Sequence, residues 1–163
     1  MEGIKKILVA SDLSEYSKAA LRLGATLAEA LGAQMRVVSV INQRDIDAVR
    51  FIANTTSMVD PEKYLEERRQ DRMGKIEELL TEANCGGLPV EKVIRVGVPW
   101  EEVLKEVDEW GADLLIIGTK GRTNAARLLY GSNAEKIYRH CPVSVLSARG
   151  QSHAELVCRL RDA

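Results

Sequence analysis

The chain has 163 residues, with 23 Lys and Arg against 24 Asp and Glu for a net charge of −1. That length predicts one domain able to bury roughly 70% of its unfolded surface without staples, and the balanced charge offers no basic excess to recommend a nucleic-acid partner. Cys85, Cys141 and Cys158 are far apart, no CxxC is present and the only histidines are His140 and His153, so neither a disulfide framework nor a zinc site is indicated.

Lys5 and Lys6 precede an apolar run, Ile7 to Ala10, that is too brief for a signal-peptide core or a membrane span. The expected location is therefore the reducing cytoplasm, with no membrane partner. Ile7 to Ala10 predicts the first strand. Ser11, Asp12, Leu13 and Ser14 turn out of it, and Ser14 is placed to cap a helix. In that helix Tyr16, Ala20, Leu23, Leu27 and Leu31 recur at spacings of three and four until Gly32 ends it. Met35 to Ile41 is a second strand, with Arg36 and Ser39 its polar interruptions.

Gln43 to Asp60 fits neither period, because polar residues, Phe51 and Ile52, and the run Asn54 to Ser57 follow without pattern. It is expected to be a long connection holding a helical turn. Asp60 can cap the next helix and Pro61 can open it, where a missing N–H costs nothing. Met73, Ile76, Leu80 and Ala83 mark the buried face, while Glu66 to Arg72 is a mixed-charge stretch expected in solvent. Gly74 weakens this helix, and Gly86 with Gly87 stops it.

Val90 to Val96 predicts a third strand. Pro99 starts a helix in which Trp100, Val103, Leu104, Val107 and Trp110 share a face, closed by Gly111; the tryptophans read as core residues rather than a ligand platform. Leu114, Leu115, Ile116 and Ile117 have no polar alternation, the mark of a strand buried on both faces of a parallel sheet. Beyond a glycine-bearing loop, Ala134, Ile137, Tyr138 and Cys141 keep helical spacing until Pro142 forbids it, and Val143, Val145 and Leu146 make the last strand. Gln151 to Ala163 is either a short amphipathic helix through Leu156 and Leu160 or a frayed terminus. The expected organisation is a domain over residues 1–148 and a tail over 149–163.

Five strands alternating with four helices specify an α/β domain: a doubly wound, five-stranded parallel sheet with helices on both faces. In the order 3-2-1-4-5, strands 1 and 4 lie side by side, and their carboxyl ends flank the crevice where the winding reverses, the default ligand site of such sheets. The loops entering it are Ser11 to Ser14 and Gly118 to Gly131.

The second loop carries Gly118, Gly121, Gly131 and Ser132 in the pattern GxxGx9GS. Glycine lets a ligand approach backbone N–H groups, and a helix N-terminus adds free donors and partial positive charge, a combination that suits a phosphate chain. The plainer alternative is that these glycines end a strand and make turns. Asp12 has two readings as well: an acceptor for ribose hydroxyls, or part of a turn capping the first helix. The patterns GxxxxGK[ST] and GxGxxG are absent, so the loop would work mainly through backbone N–H groups and Ser132. Lys120 and Arg122 either assist it or are exposed loop charges.

The segments KKILVASDLSEYSKAAL, VVSVI and DLLIIGTKGRTNAARLLYGSNAEKIYRHCPVSVL, in that order, resemble the universal stress proteins, specifically their ATP-binding branch, over most of residues 4–148. The resemblance implies the five-stranded 3-2-1-4-5 sheet and a homodimer joined through the last strand, near Val143 to Leu146. It implies that Asp12 and Gly118 hold the ribose, that the backbone at Val40 meets the adenine edge, and that Gly121, Gly131, Ser132 and Asn133 cradle phosphates bridged by Mg²⁺ or Mn²⁺. Ala10 and Ser11 complete the implied binding set where the family more often has Pro-Thr, together with Thr119 and Arg122 in the loop. Positions 120 and 122 vary in the family, so what Lys120 and Arg122 do stays open.

The expected function is a regulatory protein of the stress response that binds ATP, ADP or AMP. Phosphoryl transfer needs an oriented nucleophile and charge stabilisation, and no Ser/His/Asp arrangement, paired carboxylate or arginine finger stands near the motif. No catalytic residue is assigned, and hydrolysis is expected to be slow at most; Glu135 reads as helix-surface charge. Two alternatives are a dimeric interaction module with an empty loop and an adenylating-type enzyme, for which Ser11 to Ser14 lacks the expected SGGxDS-like sequence.

Overall fold

The computed structural model describes residues 3–56, 58–85, 87–118 and 132–149. Along the chain run β1 (Lys6–Ala10), α1 (Ser17–Leu31), β2 (Gln34–Asn42), α2 (Gln43–Thr56), α3 (Pro61–Glu82), β3 (Val90–Gly97), α4 (Pro99–Trp110), β4 (Leu114–Gly118), α5 (Ser132–His140) and β5 (Ser144–Ala148). The strands form one parallel sheet in the expected order β3-β2-β1-β4-β5.

Side chains alternate across each strand, so the unbroken apolar runs of β1 and β4 feed two cores at once. On one face Ile7, Val9, Met35, Val37, Leu114 and Ile116 pack against α1 and α3 through Leu21, Ala28, Ile76 and Leu79. On the other, Leu8, Val38, Leu115 and Ile117 meet Val103, Val107 and Ile137 of α4 and α5. Each fully buried aliphatic side chain of this kind stabilises the fold by about 1.5–3 kcal/mol relative to exposure. Trp100 and Trp110 are partly buried against the second core, as expected of core residues.

Five local expectations are corrected. Ser14 does not cap α1: the helix begins at Ser17, and Tyr16 at the N-cap makes no side-chain bond to it. The face of α1 turned to the sheet is Ser17, Ala20, Leu21, Gly24, Ala25 and Ala28, while Leu31 is 50% exposed. The small residues let the helix lie close to the strands, so close that a Cβ on Gly24 would stand 2.6 Å from Val9 Cγ2. Gln43 to Asp60 is mainly a 14-residue helix, α2, making five helices instead of four. Ile46 is its one buried residue, and Asn42 Oδ1 accepts from the Arg44 N–H at its start. A helix that buries so little shows no hydrophobic period.

Asp60 and Pro61 open α3 as expected, with Asp60 Oδ1 accepting from the N–H groups of Glu62 and Lys63. The Glu66 to Arg72 stretch is not solvated throughout: Arg72 is only 4% exposed and its guanidinium donates to Ser39 Oγ at 2.8 Å. The polar interruption of β2 thus accepts a hydrogen bond from the guanidinium carried by α3. Finally, the last strand is Ser144–Ala148 instead of Val143 to Leu146, because Pro142 and Val143 are spent entering it. The tail from Gln151 onward lies outside the described residues.

Candidate functional site

The sheet reverses its winding between β1 and β4, which pair directly from Ile7↔Leu114 to Ala10↔Ile117. Their carboxyl ends, with that of β2, form the edge at which the expected site residues meet. Ala10 ends β1 between Val38 and Ile117. The ladder runs one step further, since the Ser11 N–H donates to Val38 O at 2.9 Å and leaves Ser11 buried.

There the chain turns sharply. Ser11 Oγ accepts from the Leu13 N–H at 3.2 Å, and Leu13 adopts φ of 64°, a left-handed conformation that bulky side chains rarely take. The turn aims Asp12 back at the start of α1. Asp12 Oδ1 accepts from the Ser14 N–H at 3.0 Å, Ser14 Oγ at 2.6 Å and Ser17 Oγ at 2.8 Å. These bonds brace the turn that leads into α1, and the hydroxyls fix the orientation of the Asp12 carboxylate. The Asp12, Ser14, Ser17 spacing, DxSxxS, is the sequence signal that marks this cluster; Ser17 carried no expectation of its own.

Val40 stands two residues before the end of β2, in register with Arg95, and packs its side chain against the core beneath α4. Gly118 is the last residue of β4, opposite Ala148. Because β4 and β5 are parallel, the helix between them must start over the carboxyl edge, which places Ser132 and Asn133 there as the exposed first turn of α5. The first N–H groups of a helix have no intrahelical acceptor and carry partial positive charge, so this turn favours an anion. Ala10, Ser11, Asp12, Val40, Gly118, Ser132 and Asn133 thus share one edge. Thr119, Lys120, Gly121, Arg122 and Gly131 lie outside the described residues.

Glu135 is exposed and pairs with Arg139 one turn on at 3.0 Å, the surface role expected of it. No group of three or more His, Cys, Asp or Glu able to hold a metal ion occurs among the described residues. Beneath the Val40 end of the sheet lies a layer of charge. Arg95 reaches Glu102 at 2.9 Å, Glu106 at 2.7 Å and Glu109 at 2.8 Å, and Arg36 bonds Glu106 at 2.7 Å and also Glu91. The Arg36 guanidinium also lies 4.4 Å from the Trp110 ring centroid.

The sequence model of the universal stress protein family matches residues 3–149. The chain belongs to the universal stress protein family. Among its members, universal stress protein MJ0577 of Methanocaldococcus jannaschii is 27% identical over 150 residues, covering 87% of this chain and 93% of that protein. The solved structure of MJ0577 superposes with a TM-score of 0.75 at 26% identity, covering 91% of this chain and 98% of the other. A universal stress protein solved in complex with cAMP has a TM-score of 0.66 at 20% identity, covering 92% of this chain and all of that one. The Archaeoglobus fulgidus universal stress protein solved in complex with dAMP gives 0.59 at 16% identity, covering 91% and 99% of the two chains. These last two similarities establish the shared fold. No helix among the described residues is long and apolar enough to cross a membrane.

Proposed function

We propose that this universal stress protein is a cytoplasmic regulatory protein that binds an adenine nucleotide, ATP or its di- or monophosphate form, at the carboxyl edge of β1, β2 and β4. The observation that carries this is the meeting of Asp12, Val40, Gly118 and the first turn of α5 on one edge, in a chain whose intervening loop keeps the spacing GxxGx9GS. The relatives bound to cAMP and dAMP support the adenine class of ligand.

Each part of the edge suits a different part of the nucleotide. The backbone at Val40 offers directional hydrogen bonds to a base, and Asp12, oriented by Ser14 and Ser17, is an acceptor for ribose hydroxyls. A carboxylate would repel phosphates; the N–H groups opening α5 and Ser132 Oγ attract them. Mg²⁺ or Mn²⁺ accompanying the nucleotide would neutralise phosphate charge, with no side chain assigned to it. Hydrolysis is slow at most, because no group on this edge is assigned as a base or water-positioning residue; turnover faster than about one per second, near ordinary enzyme rates, would overturn that part.

The occupied protein acts as a homodimer paired through β5, the outer strand beside β4, where Ser144 and Leu146 alternate outward with the half-buried Val145. The test is to denature the purified protein and identify released nucleotide by chromatography, for the parent and for Gly131→Val. The parent is expected to release an adenine nucleotide. The variant is expected to release none while keeping the parent's helical circular dichroism, since a branched side chain in the loop would take the space of the phosphates. A folded variant that retains nucleotide would reject the assignment of the loop.

A further inference from the structure

We propose that the outer edge of β3 is a second pairing edge for another copy of this chain, held shut by Arg69 of α3. β3 is the terminal strand of the sheet opposite β5, and its eight residues run in register with β2 on one side only. An edge of that length is a template for another strand unless something blunts it.

What blunts it comes from α3. Arg69 Nη1 donates to Ile94 O at 3.1 Å, a bond between residues 25 apart in sequence that occupies a backbone acceptor in the middle of the edge strand. Lys92 is drawn toward the same helix by an ion pair with Glu77 at 2.6 Å.

The sequence of the strand identifies the occupant. In VEKVIRV, an antiparallel pairing across a twofold axis at Val93 sets Glu91 opposite Arg95 of the second copy and Val90 opposite Val96, each twice, while Lys92, held toward α3 by Glu77, falls opposite Ile94. Residues directly opposed in an antiparallel pair lie on one face, so the charges meet each other and the valines meet each other. Glu91 and Arg95 already share the α4 face, where both belong to the ion-pair layer with Arg36 and Glu106. A twofold contact would join the two layers into one. The edge therefore fits a second copy of itself, and the guanidinium of Arg69 sits on the carbonyl such a contact would approach. Loss of that bond opens the edge; the inference does not depend on nucleotide binding.

The test uses the full chain and two variants. Arg69→Met keeps the apolar stem of the side chain and removes the donors. In sedimentation equilibrium over a wide range of concentration, its mass is expected to rise beyond the parent's as concentration increases, since a dimer joined through β5 presents two β3 edges, with hydrogen-exchange protection gained by amides of Val90 to Gly97. Adding Glu91→Lys sets like charge against Arg95 of the second copy and is expected to return the parent's mass. A folded Arg69→Met with the parent's mass at every concentration would overturn the proposal, as would protection gained at β5 instead, or persistence of the larger species in the double variant. Failure of Arg69→Met to fold would also overturn it, by making Arg69 a structural tie rather than a guard.

Discussion

A single carboxylate oxygen, Asp12 Oδ1, takes three hydrogen bonds in the turn between β1 and α1. Removing it leaves the Ser14 N–H and two hydroxyls without this acceptor, and loss of such a buried acceptor costs about 1–2 kcal/mol. Asp12→Ala is accordingly expected to lower the unfolding free energy read from urea titration by that amount and to abolish nucleotide binding. Asp12→Asn keeps an acceptor oxygen and should recover most of the stability while binding stays weakened; equal binding by Asp12→Asn and the parent would show that the charge plays no part in the site. Both sequence readings of Asp12 concerned this carboxylate; its contacts lie in the turn before α1, and the ribose reading is what the binding of Asp12→Asn tests. What the sequence could not convey was Leu13 at positive φ, because leucine is a poor marker for that conformation. Gly24 was equally silent, since its meaning lies in the distance to Val9 on another element.

Between the elements, the ion-pair layer under α4 sets the acid response. Burial pushes the Glu102 carboxyl up, but hydrogen bonds from Lys105 and Arg95 outweigh it and hold the group below its ordinary value of 4.5. Arg95 holds Glu109 down as well. The unfolded chain then binds these protons more tightly than the folded one, so the contribution to stability is complete above about pH 4.5 and is lost as pH falls through the lower folded values. Arg95→Met leaves Glu102 to Lys105 and Glu106 to Arg36 in a half-buried layer, a partial loss of ion pairing that costs at most about 3 kcal/mol. Its urea midpoint is expected to be lower at neutral pH and to fall less steeply than the parent's down to about pH 3; an unchanged acid slope would remove Arg95 from this account. None of this layer was legible in sequence, because Arg36, Glu91, Arg95 and Glu106 sit on three elements and read singly as surface charge. α2 escaped notice for a related reason: with Ile46 alone buried, nothing in Gln43 to Thr56 repeats at helical spacing. α4 was plain because Val103 and Val107 do repeat, between Pro99 and Gly111.

At the scale of the molecule, the strand order followed from two facts visible in sequence: strands and helices alternate, and Ile7 to Ala10 and Leu114 to Ile117 are apolar without interruption. Strands apolar on both faces belong inside a doubly covered sheet, and right-handed crossovers with helices on both faces give the order that sets these two side by side; their pairing brings Asp12 to Gly118 across more than a hundred residues. The same topology carries α5 back to that edge, and with it Ser132. The most direct measurement of this arrangement is calorimetric titration of ATP with Mg²⁺ into protein stripped of nucleotide. Saturable binding of one nucleotide per chain, absent in Asp12→Ala, is the predicted result. No heat of binding from the folded parent, with ADP and AMP equally silent, would contradict it.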